Sequence, residues 1–180
     1  MIEAKEPHPL KQLDGCINTY TGVKFNLLNP KPEDVQIEDI AKGLAYKAHF
    51  SGQTPFYFSI AEHCILVCDL IEKDDSIINK SELLKVALLH DASEAYIGDM
   101  VKPLKVHLPN FCKVEDSITV AVFNRFGLLI DLLPKIKPYD SYSQELEFQW
   151  FYKNRTVDFK PLSPDKAYNK FLKYYSKYFK

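Results

Sequence analysis

Apolar residues along the chain recur mostly with a helical period. Ile37, Ile40, Ala41 and Leu44 stand at i, i+3, i+4 and i+7, the stripe of an amphipathic helix that should end near His49-Phe50-Ser51-Gly52. After a loop through Thr54-Pro55, Ser59-Ile60-Ala61-Glu62 has the serine and glutamate of a capping box. It opens a helix with Ile60, Cys64, Val67, Cys68 and Ile71 on one side and His63 in its first turn. The polar segment Lys73 to Lys80 leads to a third helix, with Ser81 as its cap, that carries Leu84, Ala87, Leu88 and Ala92 and delivers His90 and Asp91. Gly98, Pro103 and Pro109 mark a polar loop, and Asn110 is placed to cap a fourth helix through Val114, Ile118, Val122 and Phe126 that stops at Gly127. Pro134 and Pro138 punctuate the next connection, Tyr139 to Tyr152 reads as a fifth helix, and Ser163-Pro164 begins a last one with Ala167, Phe171, Tyr174, Tyr175 and Tyr178. Strand alternation is confined to Ile17–Leu28, where Thr21-Gly22 centres a short hairpin. Residues 1–15 are polar and proline-containing and read as an arm. The pattern predicts an all-α fold, a compact single helical domain over residues 1–180 with a short N-terminal β-hairpin.

Composition narrows the setting. With 180 residues, 46% of them hydrophobic, the chain is long enough for one domain with a substantial core. Its 23 basic and 24 acidic residues leave a net charge of -1, which gives no electrostatic argument for duplex nucleic acid as a partner. Cys16, Cys64, Cys68 and Cys112 lack paired metal-finger spacing, and a reduced, cytoplasmic setting is the simplest reading. Glu3, Lys5, Glu6 and two early prolines do not fit a secretory signal, and no apolar run approaches the roughly 18 residues needed to span a bilayer. A soluble protein with no membrane partner is expected.

One stretch breaks the apolar logic. Val86 to Leu89 is a buried-helix run that ends in His90-Asp91, with Glu94 and Asp99 close behind. An unpaired buried carboxylate is costly, so Asp91 calls for hydrogen bonds or a cation. Adjacent helical residues diverge by about 100°, so His90 and Asp91 can flank one point of a groove but need partners from other helices. His63 lies near the apolar face of its helix, where an imidazole has little packing reason to be; Asp140 lies where a fifth helix begins. Each has an ordinary reading, a hydrogen-bonded core histidine and a helix cap. Together, two imidazoles and two carboxylates suit a divalent ion such as Mn²⁺, Co²⁺, Fe²⁺ or Zn²⁺.

The helix-borne His63, then His90-Asp91, then a distant Asp140 resembles the HD-domain metal-dependent phosphohydrolases. The string His90-Asp91-Ala92-Ser93-Glu94, with Gly98-Asp99 and Pro103-Leu104-Lys105, is similar to the branch containing bacterial 5'-deoxynucleotidase and phage dATP triphosphohydrolases. The similarity runs from about Ile17 to about Glu147. It implies metal ligands at His63, His90, Asp91 and Asp140, a water-activating carboxylate at Glu94, and an aspartate at the substrate at Asp99. Glu94, one helical turn past His90 and Asp91, is placed to take a proton from a water as it attacks phosphorus. Lys102, Lys105 and His107 offer positive charge to the phosphates, or simply a solvated loop. Glu147, two turns after Asp140, is a candidate for a supporting position behind the ligands.

The resemblance also matches His49 and Phe50 to an arginine–aromatic pair that contacts phosphate and presses on the sugar, favouring 2'-deoxyribose. Histidine here stands in place of the arginine, and it is shorter and only partly charged at neutral pH. The expected function is hydrolysis of deoxynucleotides, by removal of phosphate from a deoxynucleoside 5'-monophosphate or of triphosphate from a dNTP. The alternatives are a cyclic or oligonucleotide phosphodiesterase on the same site, or a non-catalytic helical module that binds a nucleotide or a partner. A homo-oligomer is an expectation by analogy with such relatives. The C-terminal tyrosines and phenylalanines interleaved with lysines read as a packed aromatic face with a solvated lysine face, Trp150 and Tyr152 as core, and Cys64 as a buried free thiol pointing away from His63.

Overall fold

The capping box at Ser59 forms and starts the helix around which the others pack. In the computed structural model, which describes residues 15–153 and 160–180, α2 spans Ile60–Lys73. The Ser59 hydroxyl accepts from the Glu62 amide at 3.2 Å, and the Ser59 amide donates to the Glu62 carboxylate at 3.0 Å. The second Glu62 oxygen accepts from the Leu162 amide at 2.7 Å, so the cap also pins the chain entering the last helix. Ile60, Cys64, Val67, Cys68 and Ile71 are fully buried along α2, as the 3.6-residue period predicts. Against this helix pack α1 (Ile37–Tyr46), α3 (Ser81–Leu89), α7 (Leu133–Phe148) and α8 (Pro164–Tyr178). The arm read at residues 1–15 lies, but for Gly15, outside the described residues.

The fold is all-α with a short two-stranded antiparallel hairpin, β1 (Cys16–Asn18) and β2 (Lys24–Asn26), in which Ile17 faces Phe25. Buried Phe25 stacks on Tyr96 at 4.1 Å between ring centroids, fastening the hairpin to α4 (Glu94–Ile97). The turn residue Thr21 donates from its amide at 2.7 Å and its hydroxyl at 2.8 Å to buried Asp39 on α1. On α8, Ala167, Phe171 and Tyr178 are buried while Lys166, Lys173 and Lys177 are exposed, the packed aromatic face expected there. Tyr174 and Tyr178 satisfy their hydroxyls on α2, at Asp69 (2.5 Å) and Glu72 (2.7 Å). Among the described residues no single helix is long and apolar enough to cross a membrane.

Several helix starts differ from the sequence reading. Ser81 is the first residue of α3 behind Lys80, with no side-chain cap; its amide donates to the Asn79 side chain at 3.3 Å. After the one-turn α5 (Lys102–Lys105), the fourth helix expected from sequence, α6 (Pro109–Phe126), begins one residue before Asn110, because proline has its φ preset for the first turn and no amide to satisfy there. It ends as expected at Gly127, which is left-handed with φ 64°. The largest shift is in α7, which starts at Leu133 and runs through Pro138. Pro134 sits in the first turn, where its missing amide costs nothing, and the helix continues past Pro138 with Ile136 packed in the core and Asp140 against His63. Asp140 is therefore inside a helix and caps nothing. A wider π-helical turn follows at Gln149–Lys153, which buries Phe151 and leaves Tyr152 exposed and Trp150 half-buried, so the aromatic core residue here is Phe151.

Two contacts set where α4 and α7 lie. A Cβ built on Gly43 of α1 would sit 2.5 Å from the Ala95 carbonyl oxygen and 2.7 Å from its Cα, so glycine is what lets α1 approach α4. Gly43→Ala must move α4 and with it Glu94; a loss of about 1–3 kcal/mol in urea unfolding is expected. At the other end, Tyr139 donates to Asp74, which also accepts from the Ser76 amide at 2.9 Å and hydroxyl at 2.6 Å. These bonds, Ser76 first and then Tyr139, lower Asp74 to about 2. A carboxyl depressed on folding contributes stability above its unfolded value, near pH 4, and loses it as pH falls toward 2. The stability gap between the wild type and Asp74→Asn is thus expected to be constant above pH 4 or so and to narrow below it, read by urea unfolding across pH.

Candidate metal centre

The site forms where α2, α7 and the turn after α3 meet. α3 ends at Leu89, one residue before His90, instead of continuing through Ala92. The chain then winds tightly, with Ala92 bonded back to Leu89 at 3.1 Å and Glu94 to Asp91 at 2.9 Å. Winding with i to i+3 bonds eclipses residues three apart, which brings Glu94 over Asp91 more closely than an α-helical turn would. Lys47 of the α1 exit holds this segment by donating to the Glu94 carbonyl at 3.0 Å and the Ala95 carbonyl.

Both candidate imidazoles are fixed from behind. His63, fully buried on α2, has Nδ1 2.8 Å from Glu147 Oε1. His90 has Nδ1 2.8 Å from the Ala87 carbonyl oxygen. An acceptor at each Nδ1 places the proton there, and in the neutral ring leaves the Nε2 lone pair free. The two Nε2 atoms are buried without a hydrogen-bond partner and face carboxylates. Asp91 Oδ2 lies 3.5 Å from His63 Nε2 and 3.2 Å from His90 Nε2, and Asp140 Oδ1 lies 3.3 Å from His63 Nε2. Charge-assisted N–H···O bonds are nearer 2.7–2.9 Å. The longer spacing fits atoms arranged around an ion better than atoms bonded to one another. Ligand atoms of His63, His90 and Asp140 all fall within 4.8 Å of one another. These buried groups can hold a metal ion.

The electrostatics agree. Burial by itself pushes the His63 pKa down, but Glu147 and Asp140 outweigh it and, against His49, hold it up at about 10. His90 is likewise raised despite burial, by Asp91, and Asp91 is held well below its ordinary value by His90 and His63 despite its own burial. Burial and the neighbouring Asp91 and Asp99 push Glu94 up to about 10. So many carboxylates in one buried place favour positive charge, and Glu94 Oε2 is itself buried without a partner.

The surrounding residues divide. Asp140 has its second oxygen on Lys137, which leaves Oδ1 toward His63, and Gln144 donates to Oδ1 at 2.8 Å. His49 is turned inward, stacked on His63 at 4.5 Å, with Nδ1 3.3 Å from Asp99 Oδ2 and Nε2 3.3 Å from Glu147 Oε2. Burial opposes its charge, but Asp99 and Glu147 prevail and hold it up at about 9. Phe50 and Ser51 both adopt left-handed backbone, φ 53° and 50°, strain of the kind that needs surrounding contacts to hold it. Ser51 supplies them by donating its amide to Asp99 Oδ2 at 3.3 Å and its hydroxyl to the Asp99 carbonyl at 3.2 Å. Gly98, at φ 85°, turns the chain so that Asp99 can do this. Phe50 packs edge-on against Phe151 at 6.1 Å. The expected phosphate-contact residues are not gathered alike: Lys105 is paired with Glu115, Lys102 and His107 are exposed, and Asp99 grips the 49–51 turn.

Sequence reasoning overlooked two features. Ser143, fully buried, donates to the Asp140 carbonyl at 2.8 Å and lies 3.4 Å from His63 Nδ1. The signal was present: Asp140, Ser143 and Glu147 recur at i, i+3 and i+7, a polar stripe on a helix face that is wholly buried. Cys64, buried as expected, is met by the turn after α3: ligand atoms of Cys64, His90 and Asp91 fall within 4.8 Å of one another.

With this geometry in hand, comparison with known proteins places the chain. No family model matches the sequence. An uncharacterized protein of Rhodobacter capsulatus is 41% identical over 135 residues, covering 71% of this chain and 68% of that protein. The chain belongs to that protein's family. The uncharacterized protein YfdR of Escherichia coli is 32% identical over 112 residues, which is 62% of this chain and 58% of YfdR. The chain thus spans a little over half the length of YfdR and about two thirds of the R. capsulatus protein.

Proposed function

We propose that this protein is an HD-domain type phosphohydrolase that uses a divalent ion, Mn²⁺, Co²⁺, Fe²⁺ or Zn²⁺, to hydrolyse deoxynucleotides. One observation carries the reading. Residues from three separate elements, His63, His90-Asp91 and Asp140, converge with both imidazole Nε2 atoms buried, unpartnered and facing carboxylates. Those four residues would hold the ion, as mixed nitrogen and oxygen donors suit. A divalent ion there supplies Lewis acidity toward water and phosphate oxygen.

The chain's own groups do the rest. Glu94 Oε2, aimed at the site with no partner of its own, accepts the proton of the attacking water. Phe50 offers a ring for the sugar, held in place by the left-handed turn that Asp99 grips. His49 is already occupied by Asp99 and Glu147 and is not free to contact phosphate as an arginine would. Lys105 lies close enough for Asp91 and Glu94 to act on it, and offers an amine to a phosphate once it leaves Glu115. The test is direct: measure bound metal on the purified protein, then screen deoxy- and ribonucleotides with Mn²⁺ or Co²⁺ for phosphate, pyrophosphate or triphosphate release. Release from deoxynucleotides supports the reading, and no metal with no release from any nucleotide overturns it.

A further inference from the structure

We infer that Glu147 is a positioning residue for His63, its carboxylate fixing the ring so that Nε2 and not Nδ1 meets the ion. The inference rests on reading the cluster as a metal centre. Glu147 is completely buried, an expensive place for a carboxylate unless its oxygens are used. Both are directed at imidazoles: Oε1 lies 2.8 Å from His63 Nδ1, and Oε2 lies 3.3 Å from His49 Nε2. The first distance is that of a formed charge-assisted bond, whereas the contacts on the far side of the same ring are 3.3 and 3.5 Å. One nitrogen of His63 is thus committed to Glu147, and the other is left open toward Asp91 and Asp140.

α7 is what makes this arrangement rigid. Asp140 and Glu147 lie two turns apart on one face, so a single helix presents a ligand to Nε2 and an acceptor to Nδ1 of the same ring. Ser143 stands between them, 3.4 Å from Nδ1, and limits ring rotation. His49 stacks on the ring at 4.5 Å and closes its open face. A carboxylate behind a ligating histidine fixes the tautomer and raises the basicity of the donor nitrogen; losing it commonly weakens metal binding by about 10–100-fold.

His49, His63 and Glu147 also have ligand atoms close enough to hold an ion of their own. The experiment separates that arrangement from the one inferred. Zn²⁺, a diamagnetic probe, is titrated against a chelating indicator into wild type and Glu147→Gln, and side-chain nitrogen NMR of the Zn²⁺-loaded wild type reports the state of His63. One ion per chain, a protonated Nδ1 on His63 and an affinity about 10–100-fold lower in Glu147→Gln are expected. A merely structural glutamate would lower the unfolding midpoint of the variant while its folded fraction bound Zn²⁺ as tightly as wild type, and that result overturns the inference. So does a second ion per chain or Zn²⁺ at Nδ1, which the wild-type NMR reads even if the variant does not fold. No ion on the wild type overturns the metal centre itself, whereas an ion kept at full affinity by folded Glu147→Gln overturns only the role of Glu147.

Discussion

Asp91→Ala is expected to abolish ion binding, measured as metal retained after dialysis against micromolar Mn²⁺ or Co²⁺ with circular dichroism confirming the fold. Asp91 is the carboxylate whose Oδ2 approaches both ring nitrogens, 3.2 Å from His90 Nε2 and 3.5 Å from His63 Nε2. Removing it takes away a donor and the negative charge that draws a cation toward two imidazoles at once. The loss should exceed the roughly 10–100-fold typical of residues behind the ligands. The side chain is 25% exposed, so the truncation leaves room for water and need not unfold the protein. If the cluster were only a network of histidine–carboxylate pairs, the variant would lose stability and there would be no ion to lose. Wild-type-like metal content in the variant would remove Asp91 from the ligand set.

Glu94→Gln is expected to keep the ion and lose turnover by about 10²–10⁴-fold, the usual contribution of a positioned general base. The glutamine keeps the shape of a residue that is 9% exposed, and it keeps the backbone carbonyl on which Lys47 sits at 3.0 Å. What it loses is the ability of a carboxylate to take a proton. Asp91 and Asp99, together with burial, favour a proton on Glu94, and a cation in the site would offset them and free the carboxylate to accept a proton. Phosphate release from deoxynucleotides at saturating Mn²⁺, with bound metal measured on the same samples, separates the two effects. A fully active Glu94→Gln would show that another group accepts the proton.

How much of this was legible in the sequence differs residue by residue. The stripe on α2, the Ser59 cap and the Gly127 stop follow from period and local chemistry, and all three form. His63, His90, Asp91 and Asp140 could be singled out because charged groups interrupt apolar stretches, and the structure brings them within 3.2–3.5 Å of one another in a chain of contacts, His90 to Asp91 to His63 to Asp140. The start of α7 was hidden by two prolines, since local preference argues for a break there while packing of buried Ile136 and the contacts of Asp140 and Glu147 with His63 favour a continuous helix. That shift turned Asp140 from a cap into an inward-facing side chain and put Ser143 and Glu147 behind it.

By itself, then, the sequence determined the helical class, the hairpin, the Ser59 cap and the Gly127 stop, and the residue types available for an ion. Those depend on short-range hydrogen bonds and on which face of a helix is apolar. Whereas His90 finds its acceptor locally at the Ala87 carbonyl, only the tertiary structure decided that Nε2 and not Nδ1 of His63 is open, because its acceptor is Glu147, 84 residues away. It alone decided that His49 turns inward between Asp99 and Glu147, since a strained left-handed turn is stable only when distant groups grip it. Which residue types could serve an ion is written in one dimension; which atom of His63 is left open is set by what stands behind it in three.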